Sequence, residues 1–214
     1  NFIKKKKYEK LIKEKINLKK SKKIFQEDSQ YYIEDVRKNI INKLTYEKVY
    51  KQGFNINTPI NLRLQKIATD SLRDGLIEYD KRKGWRGPLT NKNFNDNWYQ
   101  NLDKHRLENS INWKIAIIKK INQFSVEIQL SNGIDGLIEY SDISWTKKNF
   151  NELFKEGDII YVDKIEDNKF SLKQLPEING GIVVMDPYTG RVLALSGGFS
   201  FKNSEFNRAT QALR

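Results

Sequence analysis

The 214-residue chain contains no cysteine, which excludes disulfide bridges, cysteine-ligated zinc and thiol catalysis, and suits an oxidising compartment without requiring one. Its single histidine, His105, cannot build a histidine metal centre. No apolar run approaches the roughly 18 residues that a membrane-crossing helix requires, and no G-x-G-x-x-G loop is present to cradle a dinucleotide. The sequence also lacks an initiator Met and an apolar leader. With its abrupt end at Arg214, this leads to the expectation that it is a piece of a longer protein, so that the lack of an anchor here says nothing about the parent.

Lysine is what the chain has in excess. The formal charge is +12, and residues 1–23 hold eleven lysines against Glu9 and Glu14, a local +9. Interspersed Tyr8, Leu11, Ile12, Ile16 and Leu18 are compatible with an exposed helix carrying a narrow apolar stripe, followed by looser chain. Such a tract reads either as a solvated face or as a basic segment near an anionic membrane surface.

Beyond it, Tyr32, Ile33, Val36, Ile40, Ile41 and Leu44 recur at helical spacing, which predicts a helix over 30–50. Gly53 to Thr58 alternate as a short strand, with Phe54 and Ile56 on one side, and Asn61 can cap the helix that follows. On that helix Leu64, Ile67, Ala68, Ser71, Leu72, Gly75, Leu76 and Tyr79 form one expected buried face. Residues 88–110 are rich in Asn, with Phe94, Trp98 and Tyr99 scattered among them; they read as an irregular connection in which the tryptophan anchors local packing.

From Ile111 the period becomes two. Trp113, Ile115 and Ile117 point one way, then Phe124, Val126, Ile128 and Leu130 alternate with Ser125, Glu127 and Gln129, as in strands with one wet face. Turns at Ser131–Gly133 and Gly157–Asp158 set off further strands near 134–140, 159–165 and 170–175, with a helix-like stretch over 141–155. Five strands in this order outline a small OB barrel. After Gly181, two apolar runs around the Asp186–Gly190 turn spell a hairpin, Gly197-Gly198 serves a tight reversal, and Arg208 to Leu213 approach a helix.

Several of these segments resemble class A penicillin-binding proteins, the bifunctional synthases of bacterial peptidoglycan. Tyr32, Glu34, Val36 and Arg37 loosely match that family's linker helix. Tyr79, Asp80, Arg82, Gly84, Arg86, Gly87 and Pro88 match its Y-D-x-R-x-G-x-R-G-P segment, and the G-G-I-V-V-M-D-P-Y-T-G-R-V-L-A-L-S-G-G run with A-T-Q-A-L-R matches the opening of its transpeptidase. Pro59 and Asn61 depart from the usual Thr and Asp. The resemblance covers about residues 30–214 in the family's own order.

The fold implied is α+β: a five-stranded OB-like barrel inserted in the N-terminal part of an incomplete, α/β-layered transpeptidase domain and preceded by helical linkers. The divisions expected are 1–50 for the glycosyltransferase tail and linker, 51–82 and 176–214 for the interrupted transpeptidase, and 83–175 for the barrel. The resemblance implies a parent on the periplasmic side of the bacterial inner membrane. That parent would polymerise lipid II, cross-link stem peptides through an acyl-enzyme serine and be penicillin-sensitive.

The chemistry itself is expected to lie outside this chain. Transpeptidases of this type use S-x-x-K, S-D-N and K-T-G, and none stands here in a catalytic setting. The lone S-x-x-K, Ser144 to Lys147, falls in the barrel's connecting segment, away from any buried helix that would desolvate the lysine. Glu34 and Asp35 are adjacent on a helix and diverge. Asp186 followed by Pro makes a type I turn rather than a metal loop. No catalytic, cofactor-binding or metal-binding residue is therefore expected, and no cofactor.

The partners implied are lipid II and stem peptides for the parent and a docking protein for the barrel. The barrel carries nine Lys and no Arg against ten Asp and Glu between Ile111 and Leu175, too near neutral for a nucleic-acid groove. The rival reading is a free-standing OB-type adaptor that holds nucleic acid by its lysine tail.

Overall fold

Residues spaced at three and four build the helices that precede the barrel. The computed structural model describes residues 3–13, 27–95 and 97–213; Ile16 and Leu18 of the lysine tract lie outside them. Helix α1 (Lys5–Leu11) buries none of its side chains. The helix expected over 30–50 is two, α2 (Gln30–Leu44) and α3 (Tyr46–Gln52), because Thr45 adopts a left-handed φ of 71° between them. Helix α4 (Leu62–Lys81) starts as expected, with the Asn61 side chain accepting from the amides of Arg63 and Leu64 at 3.1 Å. Such a cap contributes about 1 kcal/mol.

Residues 53–58 are not a strand. They run as irregular chain with Phe54 and Ile56 exposed. Alternation alone does not make a ladder, and in this stretch the backbone meets the later hairpin only at its end, where the Asn61 amide donates to the Leu193 carbonyl at 2.8 Å.

A two-residue strand β1 (Thr90–Asn91) leads to the barrel, formed by β2 (Lys114–Ile121), β3 (Ser125–Leu130), β4 (Asp135–Glu139), β5 (Asp158–Glu166) and β6 (Lys169–Lys173). β2, β3 and β4 form an antiparallel meander, β4 pairs in parallel with β6, β6 pairs antiparallel with β5, and β5 returns to β2 to close the ring. That is the strand order of an OB barrel. Every second residue points inward: Ala116, Ile118, Val126, Ile128, Ile138, Ile160, Val162, Phe170 and Leu172 fill the core. Ile143 and the short helix α5 (Phe150–Leu153) close one end from the β4–β5 connection.

Two details of the strand reading change. Phe124 is exposed, because the β2–β3 reversal runs to it and Asn122 donates to the Ser125 carbonyl across that turn. β2 is buried on both faces rather than wet on one: Ile117 packs outside the barrel against Trp98, Leu102 and Ile159. The irregular 92–108 connection thus covers an outer wall of the barrel, with Trp98 as its buried anchor.

The chain then forms a hairpin of β7 (Ile182–Met185) and β8 (Val192–Ser196), reversed by Asp186, which accepts from the Tyr188 amide and the Thr189 hydroxyl. Residues 207–211 make a single helical turn, with the Gln211 amide on the Asn207 carbonyl at 2.7 Å. α4 packs across β7 and β8, and α2 against β8. The helix and the hairpin are therefore layer-mates although the whole barrel separates them in sequence.

Candidate functional site

The buried face of α4 is mostly polar, and distant parts of the chain converge there on charged side chains. Gln65, Ala68, Thr69, Arg73, Leu76 and Asp80 are the buried positions, recurring every three to four residues with Ala68 and Thr69 adjacent, whereas Ile67 and Tyr79 of the expected apolar face are about half exposed. The helical period was right and its phase was one residue off. A buried polar side chain is tolerated only when its hydrogen bonds are met, and here each is met by a segment far along the chain.

At the start of α4, the Gln65 amide treats β8 as a neighbouring strand would. Its Nε2 donates to the Leu195 carbonyl at 3.0 Å and to the Asp28 carbonyl at 2.9 Å, and its Oε1 accepts from the Leu195 amide at 2.9 Å. Together with the Asn61 bond to Leu193, this covers the outer edge of β8.

Midway, Arg73 gathers three segments. Its Nη2 donates to Glu108 Oε1 at 2.8 Å and to the Ser110 hydroxyl at 3.0 Å, its Nη1 lies 3.3 Å from Asp28 Oδ1, and its Nε donates to the Phe199 carbonyl at 3.0 Å. Arg73 is 8% exposed and Glu108 9%. The other oxygen of Glu108 accepts from the Ser200 hydroxyl at 2.6 Å, and Glu27 ties in residues 109–110 through the Ser110 amide.

At the far end, Asp80 marks where the chain leaves the helical layer for the barrel and where it returns. Both of its oxygens accept from Arg86, at 3.0 and 2.9 Å, while Gln174 Nε2 donates at 2.9 Å and the Glu177 amide at 3.2 Å. Arg86 also donates to the Leu175 carbonyl. The Asp and second Arg of the Y-D-x-R-x-G-x-R-G-P segment are thus a clamp on both crossings, a bidentate pair of the strong charge-assisted kind.

Helix α2 joins the same layer through two tyrosines. The Tyr31 hydroxyl donates to the carbonyls of Ser200 and Ser204, and that of Tyr32 to Val192. Gly197 and Gly198 permit this: a Cβ on Gly198 would strike the Tyr31 hydroxyl, and one on Gly197 would strike Asn207.

Burial pushes the Tyr31 hydroxyl up to about 12, and that of Tyr161, in the barrel wall, likewise. An acid whose folded pKa is raised holds its proton more tightly in the native state, so the stability it contributes is complete below the unfolded value of about 10 and is lost as pH rises through about 12. Unfolding free energy is expected to fall between about pH 10 and 12, and ultraviolet titration should show Tyr31 and Tyr161 ionising late, with burial raising Tyr32 as well. All tyrosines ionising near 10 in the folded protein would contradict this burial.

The residues singled out in the sequence are placed as follows. Ser144 and Lys147 stand exposed on the β4–β5 connection, where the Ser144 hydroxyl donates to the Ser141 carbonyl. Glu34 pairs with Arg37, which holds its carboxyl below the usual range, while Asp35 accepts from Asn39 and Thr210, so the two face different partners. Asp186 spends its oxygens on the hairpin turn, and among the described residues no three His, Asp or Glu side chains cluster as metal ligands. What α4 assembles is a joint that sets where the barrel stands relative to the layer beneath it. Sequence reasoning missed that joint, although Asp80 and Arg86 stood in the motif that carried the resemblance.

A family model described as the penicillin-binding protein OB-like domain matches residues 85–178. Penicillin-binding protein 1A of Rickettsia prowazekii is 38% identical over 191 residues, 87% of this chain and 24% of that protein. Penicillin-binding protein 1A of Escherichia coli is 30% identical over 201 residues, 86% of this chain and 23% of that protein. The crystal structure of penicillin-binding protein 1A from Haemophilus influenzae aligns over 100% of this chain and 32% of its own, at 29% identity and a TM-score of 0.72. The chain spans about a quarter of the length of these curated relatives. With the barrel matched by the family model and the whole chain aligned with a penicillin-binding protein 1A, the chain belongs to the class A penicillin-binding protein family, of which it spans a part.

Proposed function

We propose that this chain works as a segment of a bifunctional peptidoglycan synthase, one that polymerises lipid II into glycan strands and cross-links their stem peptides on the periplasmic side of the bacterial inner membrane. The observation that carries the reading is the alignment of the whole chain, in one order, with a penicillin-binding protein 1A three times its length. In the cross-linking step a serine of the larger protein would attack the D-Ala-D-Ala carbonyl, releasing the terminal D-Ala and leaving an ester. An amine of a neighbouring strand would then displace the serine.

The role of this segment is architectural. Residues 51–82 and 176–214 supply parts of one transpeptidase layer, 83–175 the inserted barrel, and 1–50 the approach from the glycosyltransferase. Rigidity at the joint supports that role: α4 carries the barrel and the hairpin on opposite sets of hydrogen bonds. A barrel held in a fixed pose is suited to present a docking face to a protein partner, and its near-neutral charge argues against nucleic acid as that partner.

Fluorescent penicillin tests the reading. The complete gene product that contains this chain should take up the label covalently and polymerise lipid II, whereas the 214-residue chain should remain unlabelled. A labelled 214-residue chain would place the nucleophile within it, and an unlabelled complete product would remove the cross-linking activity altogether.

A further inference from the structure

The outer face of β3 and β4 is laid out for a ligand that is neither strongly charged nor apolar. An OB barrel binds its ligands on its second and third strands and on the loops joining the first strand to the second and the fourth to the fifth. Here those are β3, β4 and the turns at 122–124 and 167–168. A hollow of about 260 Å³ opens there between Lys119 of β2, Glu127 of β3, Asp135 and Leu137 of β4, and Asn168 of the β5–β6 turn. All five residues fall inside the stretch matched by the OB-like family model, so the walls of the hollow come from the barrel itself.

The side chains on this face are braced against one another. Asp135 accepts from Lys119 at 3.1 Å and from Gln129 at 3.2 Å, and Lys169 pairs with Glu139 at 3.0 Å. Lys119 also stands 5.5 Å over the ring of Phe94, which is 49% exposed, and Leu137 is 37% exposed. Lys119 and Lys169 against Glu127, Asp135 and Glu139 leave the face at −1. A polyanion such as nucleic acid finds no surplus of cations there, and one aromatic with one aliphatic side chain is too little for the apolar centre of a protein interface. What the face offers is carboxylates and an amide, which accept from and donate to hydroxyls, beside a ring and a leucine that can cover C–H surface. A sugar presents both hydroxyls and C–H surface. We propose that the β3–β4 face is a binding site for a neutral oligosaccharide. The inference rests on the synthase reading only for the choice of sugar used to test it.

Titration of the isotope-labelled 214-residue chain with the N-acetylglucosamine tetramer, followed by amide chemical shifts, tests it. Signals of residues 119, 127–129, 135–137 and 168 should move and saturate. Asp135→Ala should raise the Kd about tenfold or more, the value of one hydrogen bond to a charged group, and Phe94→Ala should raise it too. Asp103→Ala, which breaks an exposed pair with Arg106 outside the hollow, should leave it unchanged. Asp135 and Phe94 are exposed, so both variants should keep the thermal midpoint of the unmodified chain. No shifts, shifts confined to other parts of the barrel, or an unchanged Kd in folded Asp135→Ala would overturn the proposal. So would a thymidine oligonucleotide that moves the same amides in a salt-dependent manner, which would identify a polyanion site instead. The complete gene product should bind the tetramer as the chain does, and binding by the chain alone would show that the face is covered in the whole protein and overturn its role as a site. Penicillin labelling of the complete product is read separately, so the sugar site and the synthase reading can fail independently.

Discussion

Arg73→Met is expected to destabilise the chain by about 3–5 kcal/mol, measured as the loss of unfolding free energy in urea. The cost arises less from the lost bonds than from what they leave behind. Glu108 would be left at 9% exposure with the Ser200 hydroxyl and the Lys202 amide as its remaining donors. Removing one partner of a buried pair strands the other, and that penalty exceeds the net value of the pair. Adding Glu108→Gln to Arg73→Met should therefore recover part of the loss, and the double-mutant cycle should show strong coupling. Purely additive effects would mean that Glu108 is solvated and that the three segments do not meet at Arg73.

The second large effect is expected at Asp80. Asp80→Asn keeps the size and one acceptor but removes the charge that holds Arg86 with both oxygens, and it turns an amide donor toward Gln174 Nε2 or the Glu177 amide. With hydrogen bonds to charged groups contributing about 1.5–3 kcal/mol each, a loss of about 2–4 kcal/mol follows. The barrel should also lose its fixed orientation, because both of its connections to the helical layer bond to this carboxylate. Residual dipolar couplings from the barrel and from α4 should fit one alignment tensor in the unmodified protein and two in Asp80→Asn. Asp70→Asn breaks the exposed pair with Lys66 and should cost below about 1 kcal/mol, with one tensor retained.

These two positions also show where the sequence was transparent and where it was not. The barrel could be read because its physics is local: alternation, turn residues and short spacings dictate strands that pair with their neighbours. Its closing partners, β4 with β6 and β5 with β2, then follow from the OB order. The buried face of α4 could not be read that way. Gln65, Arg73 and Asp80 look like solvent-facing residues until their partners are known, and those partners lie 130 residues away at Leu195, 35 at Glu108 and 94 at Gln174. Apolar periodicity therefore chose a face shifted by one position.

The residues from Gly53 to Thr58 failed in the opposite sense. Their alternation is real, but a strand is defined by the ladder it joins, and among the described residues no strand pairs with this stretch; Ile56 and Thr58 instead line a groove with α2. The motif that carried the family resemblance contained half of the clamp, since Asp80 and Arg86 stand six residues apart across Gly84; the other half, Gln174 and the Glu177 amide, comes from the far side of the barrel.

The account rests on α4 and the β7–β8 hairpin forming one structural layer around a barrel inserted between them. Native-state hydrogen exchange at low urea tests this most directly. If the layer is real, the slowest amides of residues 62–81 and of 192–196 should exchange through a single opening with the same free energy and the same urea dependence, and both should drop together in Arg73→Met. Protection in α4 alongside exchange of β7 and β8 at fraying rates, indifferent to Arg73, would contradict it.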